Sequence, residues 1–574
     1  MADRTAPDRA TPQRRGGLAA AWASPVWVHL GVLAVVLVAL MAVVGTSTSF
    51  SADEGAVIVQ ARSLAGGDGW FVDHPVPEVD PTGANFPLEL SQHGPEGWAP
   101  FAKHPLYALL LAGADRLGGV PAMVLLSLLG TVAAAGLAAA LARRLDPALS
   151  RPTVWVVGLA SPLLFDGYLL IAHSAAAALA AAAVLAAVVA IERRRPAVAL
   201  AAAPALAACV LLRSEGLFVA LALAAAAGAV AIRNRPARAA AAVVALGAAA
   251  GGIGAYLLDR WWTAQIVGGE AVAGAAAPAA TDSGGFLAGR IQGFVVTWLL
   301  PSYGGGPLVG LALFVMLLAL MLGGLSLRAY PENGHRAVAW GAAAAAAALV
   351  ALVAGPGTVV PGLLLAFPLA VPGLLLVRRT TLGSTTARLA AAVGGLFCLA
   401  VATTQYAKGG SGEWGGRYFA LAIPIAVPVL LLALRNAGPR LDRKAARSAA
   451  LALAVCSVAM AVMGLTALRS SHRAVAELVA AADRAPADVL VTTEGAMPRF
   501  AWPTFDRQRW LLATPEGLED LLRRLREGGY QRVGFVTRHP DRDRPALQRA
   551  GAEPVDGTPS ETVGAWEIHV LQIG

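Results

Sequence analysis

The segment that decides the fold is VWVHLGVLAVVLVALMAVVGTSTSFSADEG, residues 26–55. It begins with an apolar run near residues 25–45, and a helix of about 20 apolar residues spans a bilayer. An arginine-bearing tail precedes the run, but the run is too long for a signal-peptide core and no clear cleavage site follows it. The polar stretch after it ends in the acidic pair Asp53 and Glu54. We therefore expect a retained membrane helix with two carboxylates just beyond its end.

The composition extends this interpretation to most of the chain. Of the 574 residues, 57% are hydrophobic and only 14% are charged, with a mean hydropathy of +0.62. Soluble domains carry about 25% charged residues, so an ordinary soluble multidomain enzyme is excluded. Further apolar runs lie near residues 120–142, 152–171, 174–191, 197–212, 215–232, 238–257, 306–326, 337–354, 358–377, 386–404, 417–434 and 448–467. The sequence predicts an all-α polytopic membrane protein with about 13 transmembrane helices.

The basic residues set the expected orientation. They concentrate in alternate polar segments, which are cytoplasmic by the positive-inside rule if the N-terminus is cytoplasmic. These segments are residues 1–24, 143–151, 192–196, 233–237, 327–336, 378–385 and 435–447. The net charge of +9 is thus mainly an orientation signal, and nucleic acid is not an expected partner. Residues 104–117 are helical in pattern but short, and we expect an interfacial helix on the outer leaflet.

The predicted domain organisation follows from these spans. Residues 1–24 form a cytoplasmic tail and residues 25–467 a transmembrane domain. Within that domain, residues 46–119 form a first extracytoplasmic loop with the interfacial helix, and residues 258–305 a second large one. The more charged tail, residues 468–574, has strand-like runs at 489–493, 533–537 and 566–571 and a helical pattern at 515–527. It predicts a small extracytoplasmic α/β domain.

Polar residues at the expected outer membrane surface are candidates for function, because charges in or beside the bilayer are costly. Besides Asp53 and Glu54, they include Asp166 and His173 between the third and fourth spans and the turn holding Arg213 and Glu215. Others are Asp259 and Arg260 at the end of the seventh span and Glu413, Trp414, Arg417 and Tyr418 before the twelfth. Their common level predicts a site at a lipid–water boundary.

Short motifs at these positions resemble the GT-C superfamily. The motifs are SADEG (51–55), KHPLY (103–107), SPLLFDGYLLIAHS (161–174), LRSEG (212–216) and EWGGRYF (413–419). Members are integral-membrane glycosyltransferases that use polyprenyl-phosphate sugars, such as the family 39 protein O-mannosyltransferases and lipid A aminoarabinose transferases. The resemblance covers roughly residues 25–465 and implies a GT-C-like fold and reaction. Here one proline follows His104 where the family often shows two, which leaves the subfamily open.

The chemistry of sugar transfer accounts for the same residue types. A base must take the acceptor proton, and cations must stabilise the departing phosphate. Asp53 is the expected base, by resemblance and because a membrane helix precedes it, with Glu54 as substitute or positioning residue. Arginine binds phosphate through paired donors. The expected substrate- and lipid-phosphate-binding residues are Arg213, Arg417, Lys103, His104, Tyr107, His173, Glu215 and Tyr418, with Trp98 and Trp414 stacking on a sugar.

Each assignment has a structural alternative. Asp53 and Glu54 suit the first turn of a helix as caps. Arg213 and Glu215 can simply pair, or Arg213 can reach lipid headgroups. Arg417 can anchor at the interface beside Tyr418, and His173 is more often a structural residue. No compact metal-ligand set appears, so we expect no tightly bound metal or cofactor, with a divalent cation at the lipid phosphate left open.

These observations predict a multi-pass plasma-membrane enzyme. It is a hexosyl- or pentosyltransferase that moves a sugar from a polyprenyl-phosphate donor, among membrane lipids, to an envelope polysaccharide, glycolipid or protein. The alternative is a polytopic transporter or a flippase for a lipid-linked substrate. Transporters place polar groups at the bilayer midplane, whereas the mid-helix positions here are almost uniformly apolar. A non-catalytic anchor for the C-terminal domain ranks last, since 13 spans exceed that need.

Overall fold

The computed structural model describes residues 24–89, 91–268, 285–299, 306–330, 334–355, 359–404, 414–555 and 560–573. Helices dominate the part of the chain before residue 485. They are α1 (Val26–Val44), α2 (Ala52–Gly66), α3 (Pro105–Leu145), α4 (Ser150–Leu159), α5 (Leu163–Asp166), α6 (His173–Arg193), α7 (Pro196–Ala199), α8 (Ala202–Leu212), α9 (Gly216–Arg233), α10 (Arg238–Val267), α11 (Gly285–Trp298), α12 (Gly306–Ala329), α13 (Gly334–Ala354), α14 (Leu363–Ala366), α15 (Ala370–Leu375), α16 (Thr385–Thr404), α17 (Ile423–Ala437) and α18 (Arg443–Arg484). A hairpin of β1 (Gln92–Gly94) and β2 (Gly97–Ala99) lies between α2 and α3.

The predicted fold class is confirmed, but the count of 13 spans is not. Within the described residues, ten helices are long and apolar enough to cross a membrane. The predicted spans 152–171, 197–212 and 358–377 are instead pairs of short helices, α4–α5, α7–α8 and α14–α15. A proline lies at or near each break, at Pro162, Pro204 and Pro368. Proline lacks an N–H and clashes with the preceding turn, so a helix ends before it.

Helix α3 contains the segment predicted as an interfacial helix. It runs from Pro105 to Leu145, and its backbone is non-helical at Gly118 and Gly119. Gly119 has a φ of 64°, a conformation that glycine adopts without strain. The break thus falls directly after residues 104–117, where the sequence predicts a change of direction. How that first part lies against the bilayer stays a prediction.

The membrane helices pack closely through small residues. A β-carbon at Gly130 of α3 would lie 2.6 Å from the backbone nitrogen of Ala175 in α6. Contact this close between two helix backbones requires glycine at one of them. Alanines fill much of the same interface, including Ala134, Ala138 and Ala176, which are all fully buried. The alanine-rich composition therefore serves tight helix packing, which holds the loop ends in fixed positions.

The C-terminal region forms the predicted α/β domain. Its elements are β3 (Val489–Thr492), α19 (Met497–Phe500), β4 (Trp510–Leu512), α20 (Leu518–Glu527), β5 (Arg532–Thr537), α21 (Pro540–Arg549), β6 (Ala552–Pro554), β7 (Glu561–Val563) and β8 (Trp566–Ile573). The sheet order is β4-β3-β5-β8-β6, with β7 also paired to β8. Strands β4, β3 and β5 are parallel, and β8 runs antiparallel to its neighbours.

This domain is packed against the loop between α2 and α3. The Asn85 side chain donates to the Leu512 carbonyl at 2.8 Å, and the Leu512 amide donates back to the Asn85 carbonyl at 3.0 Å. Arg524 of α20 donates to the Val79 carbonyl at 2.9 Å. Val76 and Val79 of the loop are buried in the same hydrophobic cluster as strand β3. The loop thus contributes to the core of the domain as well as leading to the membrane helices.

Candidate functional site

Asp53 lies in the first turn of α2, between two guanidinium groups. Its Oδ2 is 3.4 Å from Nη1 of Arg417, and its Oδ1 is 3.1 Å from Nη1 of Arg499. The side chain of Asp53 is 32% exposed. Each carboxylate oxygen has two lone-pair directions, so one arginine contact on each oxygen leaves acceptor capacity for a further hydroxyl. Asp53 is therefore held in place and still accessible.

Glu54, the next residue, accepts hydrogen bonds from two backbone amides. Its Oε1 accepts from the Ser51 amide at 2.7 Å, which closes the start of helix α2. Its Oε2 accepts from the Leu170 amide at 3.0 Å, in the segment between α5 and α6. The side chain is buried. These contacts give Glu54 the capping role that was the structural alternative, so we assign the chemistry to Asp53 alone.

Arg417 reaches Asp53 because two glycines precede it. Gly415 and Gly416 have φ values of 73° and 65°, which favour glycine. A β-carbon on Gly415 would lie 2.4 Å from the Pro162 ring, so the turn packs directly on the end of α4 and α5. Arg417 also contacts Tyr418, whose hydroxyl lies 3.3 Å from Nη2 and whose ring centroid is 5.0 Å from the guanidinium carbon. Glu413 of this motif lies outside the described residues.

Lys103 is the cation of the site that lacks a partner. Among the described residues it makes no ion pair or hydrogen bond. Its side chain is exposed, yet other parts of the protein lie around it. Burial lowers the pKa of Lys103; Asp53 opposes that shift, and the guanidinium groups of Arg213, Arg417 and Arg499 add to it. Lys103, Arg417 and Arg499 thus lie within electrostatic range of Asp53, and Arg213 lies within range of Lys103.

Arg213 and Glu215 form the bidentate pair that was the structural alternative for them. Nη2 of Arg213 is 2.7 Å from Oε1 of Glu215, and Nε is 3.1 Å from Oε2. The pair lies in the tight turn between α8 and α9 and is largely buried. Two parallel charge-assisted hydrogen bonds fix both side chains. Arg213 therefore contributes to the field at Lys103, but its own donors are partly occupied.

The remaining predicted ligands surround this cluster. His104, with a φ of 53°, places Nδ1 at 3.3 Å from Oδ2 of Asp259 at the end of α10. Tyr107 is buried one turn into α3. His173 is buried at the start of α6 within electrostatic range of Arg213 and Arg417, and neither ring nitrogen has a hydrogen-bond partner in the described parts of the chain. They line the surroundings of the site without contacting Asp53.

The two tryptophans predicted to stack on a sugar are packed against protein rings. Trp98 stacks on Phe86 at a centroid distance of 4.4 Å, and a β-carbon on Gly83 would lie 2.2 Å from its ring. Trp414 is 3% exposed, lies 5.5 Å from the Phe165 ring and packs against Gly464 of α18. Since Trp414 is buried, we do not assign sugar stacking to it, whereas Trp98 is half-buried with Phe86 on one face and its stacking role stays a prediction.

An apolar cavity of about 770 Å³ lies between helices α4, α12, α13, α15, α17 and α18. A narrow extension, lined by Phe165 and Trp414, shares Leu159, Ala160 and Ser457 with it. The extension is only about 10 Å³, room for a single water molecule, so the space for hydrocarbon is the main cavity, which runs from Leu159 past the far end of α17 to Leu441. Helix α17 has 15 residues, a length of about 22 Å. The main cavity has the apolar lining that a hydrocarbon chain requires.

Arg499 is the residue of this site that the sequence did not indicate. It lies in α19 of the C-terminal domain, 446 positions after Asp53. Its Nη2 is 2.9 Å from Oε2 of Glu89, and its side chain is 9% exposed. Nothing in the local sequence, Met497–Phe500, distinguishes it from a surface arginine. Within the described residues, no group of three or more His, Cys, Asp or Glu side chains is placed to hold a metal ion.

Comparison with known proteins gives structural neighbours only. No family model matches the chain, and no curated protein matches it. The chain is similar to the crystal structure of ArnT from Cupriavidus metallidurans in the apo state, with 13% identity, a TM-score of 0.48, and coverage of 94% of this chain and 97% of that chain. It is also similar to ArnT from the same organism bound to undecaprenyl phosphate, with 14% identity, a TM-score of 0.43, and coverage of 96% and 98%.

ArnT is an aminoarabinose transferase of the GT-C family, the superfamily that the motifs resemble. At these identities and TM-scores the likeness carries no argument about the reaction of this chain. The function is therefore argued from its own side chains and cavities.

Proposed function

We propose that this chain is a plasma-membrane glycosyltransferase that moves a sugar from a polyprenyl-phosphate donor to a hydroxyl of a cell-envelope acceptor on the extracytoplasmic side. The observation that carries the proposal is the Asp53 carboxylate, held by Arg417 and Arg499 beside the unpaired Lys103. One accessible carboxylate among several cations suits an acceptor proton and a departing phosphate together.

The reaction assigns one role to each charge. The acceptor oxygen forms a bond to the anomeric carbon of the sugar while the bond from that carbon to the phosphate oxygen breaks. The acceptor proton goes to Asp53, and the bonding electrons leave with the polyprenyl phosphate. Lys103 and Arg417 stabilise the charge on that phosphate. A second carboxylic acid is unnecessary because the phosphate is already a good leaving group, unlike the alcohol released in glycoside hydrolysis.

The apolar cavity supports a lipid-linked donor. Helix α17 begins six residues after Arg417 and lines the cavity, whose apolar wall suits the hydrocarbon chain of a lipid donor. A prenyl chain is already in hydrocarbon before it binds, so the cavity contributes van der Waals contacts and a place for the chain beside the protein. Water-soluble nucleotide sugars would gain nothing from such a surface. The cavity together with the cations supports a lipid-linked donor.

The test is sugar transfer by full-length protein in membranes supplied with radiolabelled polyprenyl-phosphate sugars. We expect Asp53→Asn to lower transfer by at least about 100-fold, a loss within the range for general-base catalysis. Asp115→Asn is the matched control, because Asp115 has no hydrogen bond or ion pair within the described ranges. Full activity of Asp53→Asn would remove Asp53 as the base. Movement of the labelled lipid between leaflets without transfer would favour the flippase instead.

Two further measurements address the parts of the proposal outside the base. A reporter fused after Gly574 should read extracytoplasmic, and a cytoplasmic signal would reverse the orientation and place the site on the wrong side. Addition of a chelator should leave transfer unchanged, since the chain supplies its own cations for the phosphate. Loss of activity that Mg²⁺ or Mn²⁺ restores would show that a divalent ion accompanies the lipid phosphate.

A further inference from the structure

The C-terminal domain touches helix α2 at the turn that carries Asp53. A β-carbon on Gly55 would lie 1.8 Å from the carbonyl oxygen of Arg499 and 3.3 Å from Cδ1 of Trp502. The backbone of α19 therefore rests directly on the first turn of α2, at a position where any side chain would separate the two. Two residues before Gly55, Asp53 accepts a hydrogen bond from the guanidinium of Arg499.

The side chain of Arg499 has one orientation, set by three acceptors. Nη1 donates to Asp53 at 3.1 Å, Nη2 to Glu89 at 2.9 Å, and Nε to the Gly495 carbonyl of its own segment at 3.1 Å. The guanidinium is planar with donors in a fixed fork, so these contacts also fix the plane in which it meets Asp53. With Arg417 on the second oxygen, the carboxylate is held from two sides.

We propose that Arg499 is a positioning residue for Asp53, so that the C-terminal α/β domain is part of the catalytic unit and the membrane domain is incomplete without it. The inference rests on the proposed function, because it assumes that Asp53 is the base. A base held within a few tenths of an ångström of its working geometry gains rate, and a displacement of about 1 Å can cost about 100-fold. Arg499 acts through Asp53 and makes no contact with substrate in this assignment.

The contacts that attach the C-terminal domain to the rest of the chain support this role of Arg499. Besides Arg499, the domain is attached through Asn85, Val79 and Glu89, all in the loop that also carries Lys103. Thr48, just before α2, donates to the His472 carbonyl of α18, the helix that leads into the domain. The domain and the helix that leads into it thus hold the segment from Thr48 to Glu89, which carries the candidate base. Displacing the domain would disturb the position of that base.

A purely structural role for Arg499 is the competing explanation, and three readouts separate the two. We expect Arg499→Gln to lower kcat by 10- to 100-fold per folded protein, with the donor KM within about 3-fold of the original. Arg499→Lys should recover only part of the rate, because an ammonium cannot present the same fork. Free guanidinium at millimolar concentration should partly restore Arg499→Ala, which a docking defect would not allow.

The control is Arg507→Gln in the same domain, since Arg507 is 63% exposed and, among the described residues, its guanidinium pairs with Asp483 alone. If Arg499→Gln and Arg499→Lys transfer like the original while Asp53→Asn does not, the positioning role is overturned and the proposed function stands. If both Arg499 variants lose thermal stability but keep kcat per folded protein, the residue serves docking alone. Full activity of Asp53→Asn would instead remove the proposed base itself.

Discussion

A methyl group added at Gly55 tests the contact between the C-terminal domain and helix α2 with the smallest available change. In Gly55→Ala the new β-carbon would lie 1.8 Å from the Arg499 carbonyl oxygen, whereas ordinary contact is about 3.4 Å. Backbone is on both sides, so α19 must retreat from α2 by about 1.6 Å. The Arg499–Asp53 distance, now 3.1 Å, would then approach about 4.7 Å and the hydrogen bond would be lost.

Stability and activity should respond differently to this substitution. Overpacking costs about 1–3 kcal/mol, while alanine in a helix gains up to about 1 kcal/mol over glycine, so the net loss of stability is small. The loss of positioning is larger, because about 1 Å of misplacement can cost 100-fold in rate. We expect Gly55→Ala to lower kcat by about 30- to 100-fold with a shift in Tm of only a few degrees.

The assay is the initial rate of sugar transfer, paired with hydrogen exchange of residues 497–500. Gly113→Ala is the control, because a β-carbon at this helical glycine meets no atom within 4 Å. In the double variant with Arg499→Gln, the two effects should overlap rather than multiply, since both act through one contact. An unchanged rate together with unchanged exchange in Gly55→Ala would refute the packing of α19 on α2.

Three further predictions concern other charged groups. Glu54→Gln should lower the free energy of unfolding by about 1–3 kcal/mol while transfer per folded protein persists, because both oxygens accept backbone hydrogen bonds; lost transfer at unchanged stability would contradict this. In Lys103→Arg the donor KM should stay low to a higher pH than in the original protein. The lowered pKa of Lys103 lets it lose its proton at a lower pH than an ordinary lysine, whereas arginine stays charged. Identical profiles of donor KM against pH would exclude Lys103 from phosphate binding. Burial alone would raise the pKa of Asp543, but hydrogen bonds from Arg542, Thr537 and a second threonine outweigh it and lower the pKa. The ionised Asp543 therefore stabilises the fold above the unfolded pKa of about 3.9, and this stabilisation is lost as pH falls through the lower folded value. Asp543→Asn should lower the free energy of unfolding by about 2–4 kcal/mol at neutral pH. The variant should also show a flatter dependence of stability on pH in acid.

The fold was predictable where the signal is local. Apolar runs locate the membrane helices, and the strand-like runs at 489–493 and 533–537 match strands Val489–Thr492 and Arg532–Thr537. The prediction of secondary structure fails where contacts with distant residues determine it. Three predicted spans are broken beside prolines, and strands β4, β6 and β7 have three residues each and exist through pairing with longer strands. Strand preference depends on such context more than helix preference does.

The candidate site was predictable only in part, for a related reason. Asp53 and Arg417 stand in motifs that a family resemblance makes visible, and the structure brings them within 3.4 Å. Arg499 stands in no such motif and reaches the site through a contact across 446 positions. The stacking roles predicted for Trp98 and Trp414 required an open ring face. Tertiary packing, which local sequence does not reveal, places Phe86 and Phe165 against these rings. Local sequence gives the type of side chain but not its neighbours.

The pairing of charges changes the expected order of the phosphate ligands. Sequence alone ranks Arg213 above Lys103, because arginine binds phosphate through two donors. In the structure Arg213 already uses two donors on Glu215, at 2.7 and 3.1 Å, in a buried turn. A phosphate that recruits Arg213 must break or share this pair, and leaving a buried carboxylate unpaired costs about 3–5 kcal/mol. Lys103 has no pair to break in the described parts of the chain.

An incoming phosphate should therefore gain more from Lys103 than from Arg213. We expect Lys103→Gln to raise the donor KM by 10-fold or more, in line with a charged hydrogen bond worth about 1.5–3 kcal/mol. Arg213→Gln should mainly lower Tm, because it leaves Glu215 buried without its partner, and should change the donor KM by less than about 3-fold per folded protein. The reverse order of the two KM effects would show that the Arg213–Glu215 pair opens when the donor binds. Arg213 would then be the principal ligand of the phosphate, and the buried pair would be its resting state.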